Sequence, residues 1–286
     1  MIRPLTGLSE LAGHYDALLC DVWGVIHNGR DSFPGPCAAL ARWRADRGPV
    51  VLISNSPRPS PQVIDQLDGL GVPRDAWSAL VTSGDVTRTL LAARAPGPVY
   101  AIGPERDGPL YAGLGLQFAS LDEAAFICCT GPVDDDVETP EDYRALLMQA
   151  ATRRLPMICA NPDKVVQRGD RLVYCGGALA ELYDALGGQT IMAGKPHAPI
   201  YEACLAEAAA LAGAATPLGR VLAIGDGVAT DARGANAQGL DLLFVAGGIH
   251  AAEITDAAGA LDPAAAQALL ERSGAHAAYA MRALAW

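Results

Sequence analysis

Short apolar segments alternate with longer amphipathic ones along most of this 286-residue chain. Several of the short segments are apolar throughout, without the alternation of a strand that has one face in water, which indicates strands covered on both faces. Seven segments are predicted as strands: 17–21, 49–54, 98–103, 125–131, 156–161, 220–226 and 241–247. Because strands and helices alternate, we predict an α/β fold with a mainly parallel sheet.

The segment 197–213 is the clearest of the predicted helices. Pro199 near its start and Gly213 at its end are typical helix boundaries. Between them apolar side chains recur at helical spacing, which predicts one stripe packed on the core. This stripe comprises Ile200, Tyr201, Cys204, Leu205, Ala208 and Leu211.

Four of the predicted strands finish on polar residues. These are Asp21, the pair Ser54–Asn55, Asn161 and Asp226. In open parallel sheets, ligands bind at the carboxyl ends of the strands. We therefore predict a functional site that includes these residues.

Composition and charge limit the classes of function. The chain is 51% hydrophobic and 19% charged, as in an ordinary folded protein, and its formal net charge is −11. Such acidity disfavours nucleic acids and anionic membranes as partners. Seven cysteines without a CxxC pair indicate reduced thiols. With neither a secretory signal nor a membrane-spanning segment, we expect a cytoplasmic protein.

The polar residues at the strand ends suit the hydrolysis of a phosphate ester. Asp21 and Asp226 are carboxylates that can hold Mg²⁺, and Lys195 adds a compact positive charge. The Ser54 hydroxyl and the Asn55 backbone N–H are donors for the phosphoryl oxygens. Asp21 would then be a covalent nucleophile.

Each of these residues has a simpler interpretation when it is considered alone. An aspartate after a strand, such as Asp21, is often a turn residue. Asp231, together with its neighbour Thr230, suits a helix N-cap. Lys195 by itself is expected to be solvated, and Ser54–Asn55 to form a turn. The catalytic interpretation depends on all of them occurring together.

Four motifs in a fixed order resemble those of the haloacid dehalogenase superfamily of phosphohydrolases, and most closely those of its NagD-like branch, class IIA. They are LLCDVWGVIHNG (18–29), LISNSPRPS (52–60), MAGKPHAPIY (192–201) and AIGDGVATDARGANAQGLDLLFVAGGI (223–249). The resemblance covers nearly the whole chain. It implies a Rossmann-like core formed by residues 1–83 and 189–286, with an inserted C2-type α/β cap at 84–188.

The resemblance also implies a mechanism and a ligand. Mg²⁺ would assist hydrolysis of a small phosphorylated metabolite through an aspartyl-phosphate on Asp21, with Asp226 and the Trp23 main-chain carbonyl as further metal ligands. Asp231 would orient the metal ligands or Lys195. In the cap, Asn161 and Asp163 would contact the substrate, although the same residues suit a simple turn. Homodimers occur in that branch.

One position departs from the pattern of the superfamily, whose phosphatases usually carry a second aspartate two residues after the nucleophile. Trp23 stands there instead. The missing carboxylate would protonate the leaving oxygen and activate water, which contributes about 10²–10⁴-fold to the rate. Either His27 replaces it, or the protein is a slow phosphatase or a non-catalytic phospho-ligand binder. For His27, a hydrogen bond within its own turn is the simpler role.

Overall fold

The computed structural model describes residues 1–168, 171–256 and 258–286; Gly169 and Asp170, which fall in the predicted cap, and Ala257 lie outside the described residues. Its strands are β1 (Arg3–Pro4), β2 (Ala17–Asp21), β3 (Val50–Ser54), β4 (Ala79–Thr82), β5 (Val99–Ile102), β6 (Phe126–Cys129), β7 (Pro156–Cys159), β8 (Val165–Arg168), β9 (Arg171–Tyr174), β10 (Gln189–Met192), β11 (Val221–Gly225), β12 (Asp241–Val245) and β13 (Tyr279–Met281). Its helices are α1 (Pro34–Asp46), α2 (Ser60–Gly69), α3 (Ser83–Ala92), α4 (Arg144–Thr152), α5 (Gly176–Ala185), α6 (Ala198–Ala212), α7 (Arg233–Ala237), α8 (Ala251–Ile254) and α9 (Pro263–Arg272).

The chain folds into two compact units. The first comprises residues 1–54, 64–81 and 195–286, and the second comprises residues 55–63 and 82–194. Each unit contains its own sheet. All seven predicted strands are present, and the predicted α/β fold class is confirmed. The division into a core of 1–83 and 189–286 and a cap of 84–188 remains a prediction.

A seven-stranded sheet is the centre of the first unit, in the order β1-β13-β12-β11-β2-β3-β4. Strand β2 pairs in parallel with β11 on one side and with β3 on the other. Asp21 is opposite Ile53 in this register, and Cys20 is opposite Ile224. The three strands therefore end at nearly the same level, so the residues that follow them meet at one edge of the sheet.

Helix α6, which packs against β3, confirms the helix predicted at 197–213. Gly213 follows it with a positive φ of 75°, a conformation that glycine adopts without strain. The predicted stripe is buried at Ile200, Tyr201, Cys204 and Ala208. The prediction was wrong for Leu211, because the last turn of the helix, residues 210–212, is exposed.

The second unit contains a parallel sheet in the order β10-β7-β6-β5 and a separate antiparallel hairpin, β8-β9. Alternate residues of β6 enter two different cores: Ile127 and Cys129 pack on one face, Phe126 and Cys128 on the other. Both faces are covered by apolar side chains, which explains why β6 is apolar throughout.

The alanine-rich segment after residue 250 contributes more than surface helix. It contains α8 and α9 and then β13, which enters the large sheet between β1 and β12. The sequence pattern did not predict this strand, because it has only three residues. No helix among the described residues combines the length and apolar character that crossing a bilayer requires.

Candidate active site

Three aspartates converge at the carboxyl edge of the large sheet. Asp21 ends β2, Asp226 follows β11 directly, and Asp231 lies in the π-helical turn Val228–Ala232. Each of the three offers a carboxylate oxygen that lies within 4.8 Å of those of the other two, and all three residues are buried. The structure thus brings together the three acidic residues that the sequence pattern singled out.

Lys195 occupies the space between two of these carboxylates. Its Nζ donates to Oδ1 of Asp21 at 2.5 Å and to Oδ1 of Asp231 at 2.8 Å. Only 3% of its side chain is exposed. The simpler interpretation, a solvated lysine, is therefore wrong, since this ammonium group is buried and paired with two carboxylates.

Glycines and one backbone amide hold Asp226. The Ile249 N–H donates to its Oδ2 at 2.9 Å. A Cβ at Gly24 or at Gly248 would collide with the same carboxylate, and Gly24 also has a positive φ of 83°. Sequence analysis missed these contacts, although the Gly247–Gly248 pair just after β12 is a signal of close backbone approach.

Two further backbone contacts position Asp231. Its Oδ2 accepts a hydrogen bond from the Gly227 N–H at 3.0 Å, and a Cβ at Gly225 would overlap its side chain. Asp231 lies inside the π-helical turn, a distortion that often occurs at functional sites. Its carboxylate is therefore fixed with one oxygen toward Lys195.

Burial dominates the electrostatics of this cluster. It raises the pKa of Asp21 well above the usual value, against the opposing effect of Lys195. Burial and the neighbouring Asp231 raise the pKa of Asp226 to about 7. Burial alone lowers the pKa of Lys195, but Asp21 and Asp231 outweigh it and raise that pKa well above normal.

The charges of the cluster fit a divalent cation. When Asp21, Asp226 and Asp231 are ionised, three negative charges face the single positive charge of Lys195, so the net charge is minus two. A divalent cation neutralises this charge, and carboxylate oxygens are the ligands that Mg²⁺ prefers. Burial and the neighbouring Asp231 carboxylate disfavour the ionised form of Asp226, which a bound cation would favour.

We predict that Mg²⁺ stabilises the protein more at pH 8 than at pH 5.5. Burial and Asp231 raise the pKa of Asp226 to about 7 in the folded metal-free protein, whereas its ordinary value of 3.8 applies when the chain is unfolded. Between these values the folded state binds the extra proton, so the metal-free protein loses stability as the pH rises. Mg²⁺ competes with that proton and offsets the loss. Melting temperatures at both pH values, with EDTA or with Mg²⁺, measure the difference.

Asp226→Asn provides the control for this prediction. An asparagine does not titrate, so the loss of stability between pH 5.5 and pH 8 is expected to be smaller in this variant. The stabilisation by Mg²⁺ is expected to be smaller as well. An equal Mg²⁺-induced shift at pH 5.5 and pH 8 in the native protein would contradict the assignment of Asp226.

The other predicted site residues lie in two groups. Ser54, half-buried, ends β3 one residue beyond the partner of Asp21. In the second unit, Asn55 Nδ2 donates to Oδ1 of Asp163 at 2.9 Å, and the Asp163 N–H donates to Oδ1 of Asn161 at 3.2 Å. The predicted substrate contacts Asn55, Asn161 and Asp163 therefore form one polar cluster.

Trp23 and His27 lie together in the turn that follows β2. Their rings meet edge to face, with centroids 5.2 Å apart and an interplanar angle of 74°. His27 is buried, and its Nδ1 accepts a hydrogen bond from the Gly29 N–H at 2.9 Å. Burial lowers the pKa of His27 to about 4, so the ring is neutral at pH 7.

Comparisons with known proteins agree with this geometry. A profile of haloacid dehalogenase-like hydrolases, which corresponds to the NagD-like class IIA branch, matches residues 18–117, and a second profile, HAD-hydrolase-like, matches residues 192–276. A crystal structure of a haloacid dehalogenase-like hydrolase from Brucella suis 1330 is 48% identical, with a TM-score of 0.85. The match covers 97% of this chain and 98% of that one.

Two curated proteins are more distant relatives. The D-glycerol 3-phosphate phosphatase of Mycobacterium tuberculosis is 27% identical over 252 residues, which are 86% of this chain and 67% of that protein. Human chronophin is 27% identical over 245 residues, which are 78% of each chain. The profile matches and the near-complete match to the Brucella hydrolase establish that the chain belongs to the haloacid dehalogenase-like hydrolase family.

Proposed function

We propose that the protein is a Mg²⁺-dependent phosphatase that hydrolyses phosphate monoesters of small metabolites, with Asp21 as the nucleophile. One observation carries the proposal: the Lys195 ammonium group is bound between Asp21 and Asp231 beside a third carboxylate. A relative named D-glycerol 3-phosphate phosphatase supports the same reaction class. Membership of the haloacid dehalogenase-like hydrolase family supports it as well.

In this proposal Mg²⁺ is held by the carboxylates of Asp21 and Asp226 and by the Trp23 main-chain carbonyl. When bound, the ion neutralises negative charge on the phosphoryl group and so permits attack by an anion. The cluster fits Mg²⁺ because its carboxylates offer hard oxygen ligands and because it carries a net negative charge when they are ionised. Asp231 acts through Lys195, whose ammonium group it binds together with Asp21.

The side chains of the first unit have distinct roles in the reaction. An oxygen of Asp21 bonds to phosphorus while the bond from phosphorus to the ester oxygen breaks, and the electron pair leaves with that oxygen. Lys195 favours the ionised form of Asp21 against the effect of burial and orients its carboxylate, and the Ser54 hydroxyl donates to a phosphoryl oxygen. Water then attacks phosphorus, which releases phosphate and restores the Asp21 carboxylate. A proton from that water neutralises the alkoxide that left in the first step.

Protonation of the leaving oxygen is the weak point of this site. Trp23 has no acidic proton, and His27, neutral at pH 7 and bonded to the Gly29 N–H, is poorly suited to replace an acid. We therefore propose that the leaving oxygen departs without help from a side-chain acid. This observation also favours the second candidate function, a weakly active or non-catalytic protein that binds phosphorylated ligands on the same site.

Replacing Trp23 with aspartate is expected to raise kcat on alkyl phosphates by at least about tenfold, within the range of general acid catalysis. The change restores a proton donor two residues after Asp21 and retains the main-chain carbonyl. Initial rates with ethyl phosphate and with phenyl phosphate measure the effect, which is expected to be smaller for phenyl phosphate. An unchanged or lower rate with ethyl phosphate would show that the missing acid does not limit turnover.

Phosphate release from a panel of sugar phosphates, nucleotides and aryl phosphates, with Mg²⁺ or with EDTA, tests the proposed function. Turnover that requires Mg²⁺ supports the phosphatase. Saturable binding of the same compounds without turnover supports the binding protein instead, and neither binding nor turnover contradicts both.

A further inference from the structure

We infer that the Trp23 indole forms the subsite for the leaving group and selects phosphate esters whose leaving group carries a planar aromatic ring. The inference deepens the proposed function and rests on it. It assigns a purpose to the side chain that stands where the superfamily usually has an acid.

Trp23 occupies a position in the chain that borders the acidic cluster. It lies between Asp21, a member of the acidic cluster, and Gly24, whose Cα is packed against the Asp226 carboxylate. The backbone on both sides of Trp23 therefore borders the cluster. The indole is attached to backbone that borders the site where phosphorus would be attacked.

The turn that follows β2 holds the indole in one place. Gly29 has a φ of 87°, and a Cβ there would collide with the outer ring of the indole. The His27 ring supports the indole edge to face, and backbone bridges connect Trp23 with His27 and His27 with Ser32. A fixed aromatic side chain provides contact area with little loss of conformational entropy.

Trp23 is partly exposed as well as fixed. The turn fixes the indole, yet 38% of Trp23 remains exposed. Buried tryptophans such as Trp43 fill the core of the first unit, but Trp23 offers a free aromatic surface. Aromatic rings prefer offset-stacked or edge-to-face contact with such a surface.

The chemistry of the leaving group points to the same class of ester. A phenolic oxygen leaves as an anion whose conjugate acid has a pKa of about 10, as in tyrosine, and needs little protonation. An alkoxide is far more basic and needs a proton donor. A site without an acid at position 23 but with an indole there is suited to aryl esters on both counts.

Binding of two phosphonates, which cannot be hydrolysed, separates ring recognition from catalysis. Dissociation constants for phenylphosphonate and methylphosphonate are measured by calorimetry with Mg²⁺ on the native protein, Trp23→Phe, Trp23→Leu and Phe118→Leu. Phe118 is the matched control, because it is an exposed aromatic residue of the second unit. The preference for phenyl over methyl is expected to be about tenfold and to fall to about twofold in Trp23→Leu.

Trp23→Phe is expected to retain most of the preference, and Phe118→Leu all of it. A second readout compares kcat/KM for benzyl phosphate and cyclohexylmethyl phosphate, whose leaving groups are both alkoxides; the benzyl preference is expected to disappear in Trp23→Leu. The inference is wrong if methylphosphonate and phenylphosphonate bind with equal affinity, or if Trp23→Leu keeps the preference for phenyl. Either of these results leaves the phosphatase proposal standing. If neither phosphonate binds and no ester is hydrolysed, the proposed function fails as well.

Discussion

Asp21→Asn is expected to lower Mg²⁺-dependent phosphate release by at least about 10⁴-fold, the scale on which removal of a covalent nucleophile acts. The amide has nearly the shape of the carboxylate but is not a nucleophile. It also loses the charge that pairs with Lys195, whose Nζ lies 2.5 Å from the Asp21 carboxylate. Steady-state rates with a good substrate from the panel measure the loss.

Asp16→Asn is the matched control. Asp16 immediately precedes the strand that Asp21 ends, and it pairs with Arg220 on the surface. Surface ion pairs contribute roughly 0–1 kcal/mol, so this variant is expected to keep its rate within about twofold. Asp21→Asn retaining more than about a hundredth of the native rate would rule out Asp21 as the nucleophile.

Lys195→Met is expected to lower both activity and stability. The variant removes the positive charge between Asp21 and Asp231, and leaving a buried charge unpaired costs about 3–5 kcal/mol of stability. Loss of a preorganised charge at the phosphoryl group is expected to lower kcat by about 10²–10³-fold. Urea unfolding with and without Mg²⁺ measures the first effect, and initial rates measure the second.

The other lysine of the chain provides the control. Lys164 is 62% exposed and pairs with Glu181, so Lys164→Met is expected to change stability by no more than about 0.5 kcal/mol. Lys195→Arg tests geometry, because a planar guanidinium does not fit between the two carboxylates as a compact ammonium does. Full activity of Lys195→Met would contradict its role.

The fold was predictable where the strands are buried on both faces. Segment 125–131, for example, begins with five apolar residues, a pattern that is visible without knowledge of which strands lie beside it. The strands that were not predicted are β1, β4, β8, β9, β10 and β13, and the two shortest, β1 with two residues and β13 with three, carry no periodicity. The pairing of β1 and β13 depends on a sheet edge that the other strands of the large sheet form.

Asp21 and Asp226 were predictable because each stands at the end of an apolar strand, and the carboxyl ends of parallel strands meet at one edge of the sheet. The environment of Lys195 was not, since burial between two carboxylates is a property of residues distant in sequence. The collision of a side chain at Gly24 or Gly248 with Asp226 likewise arises only in three dimensions. The hydrogen bond of His27 to the Gly29 N–H, in contrast, agrees with the local role that its turn indicated.

The most direct test of the account is to trap the covalent intermediate. The native protein is mixed with Mg²⁺ and a ³²P-labelled aryl phosphate, quenched in acid within milliseconds, and digested for peptide mapping. Acid-stable label is expected on the peptide that contains Asp21, in an amount stoichiometric with a burst of the released aryl alcohol. Turnover without covalent label, or label on a residue other than Asp21, would contradict it.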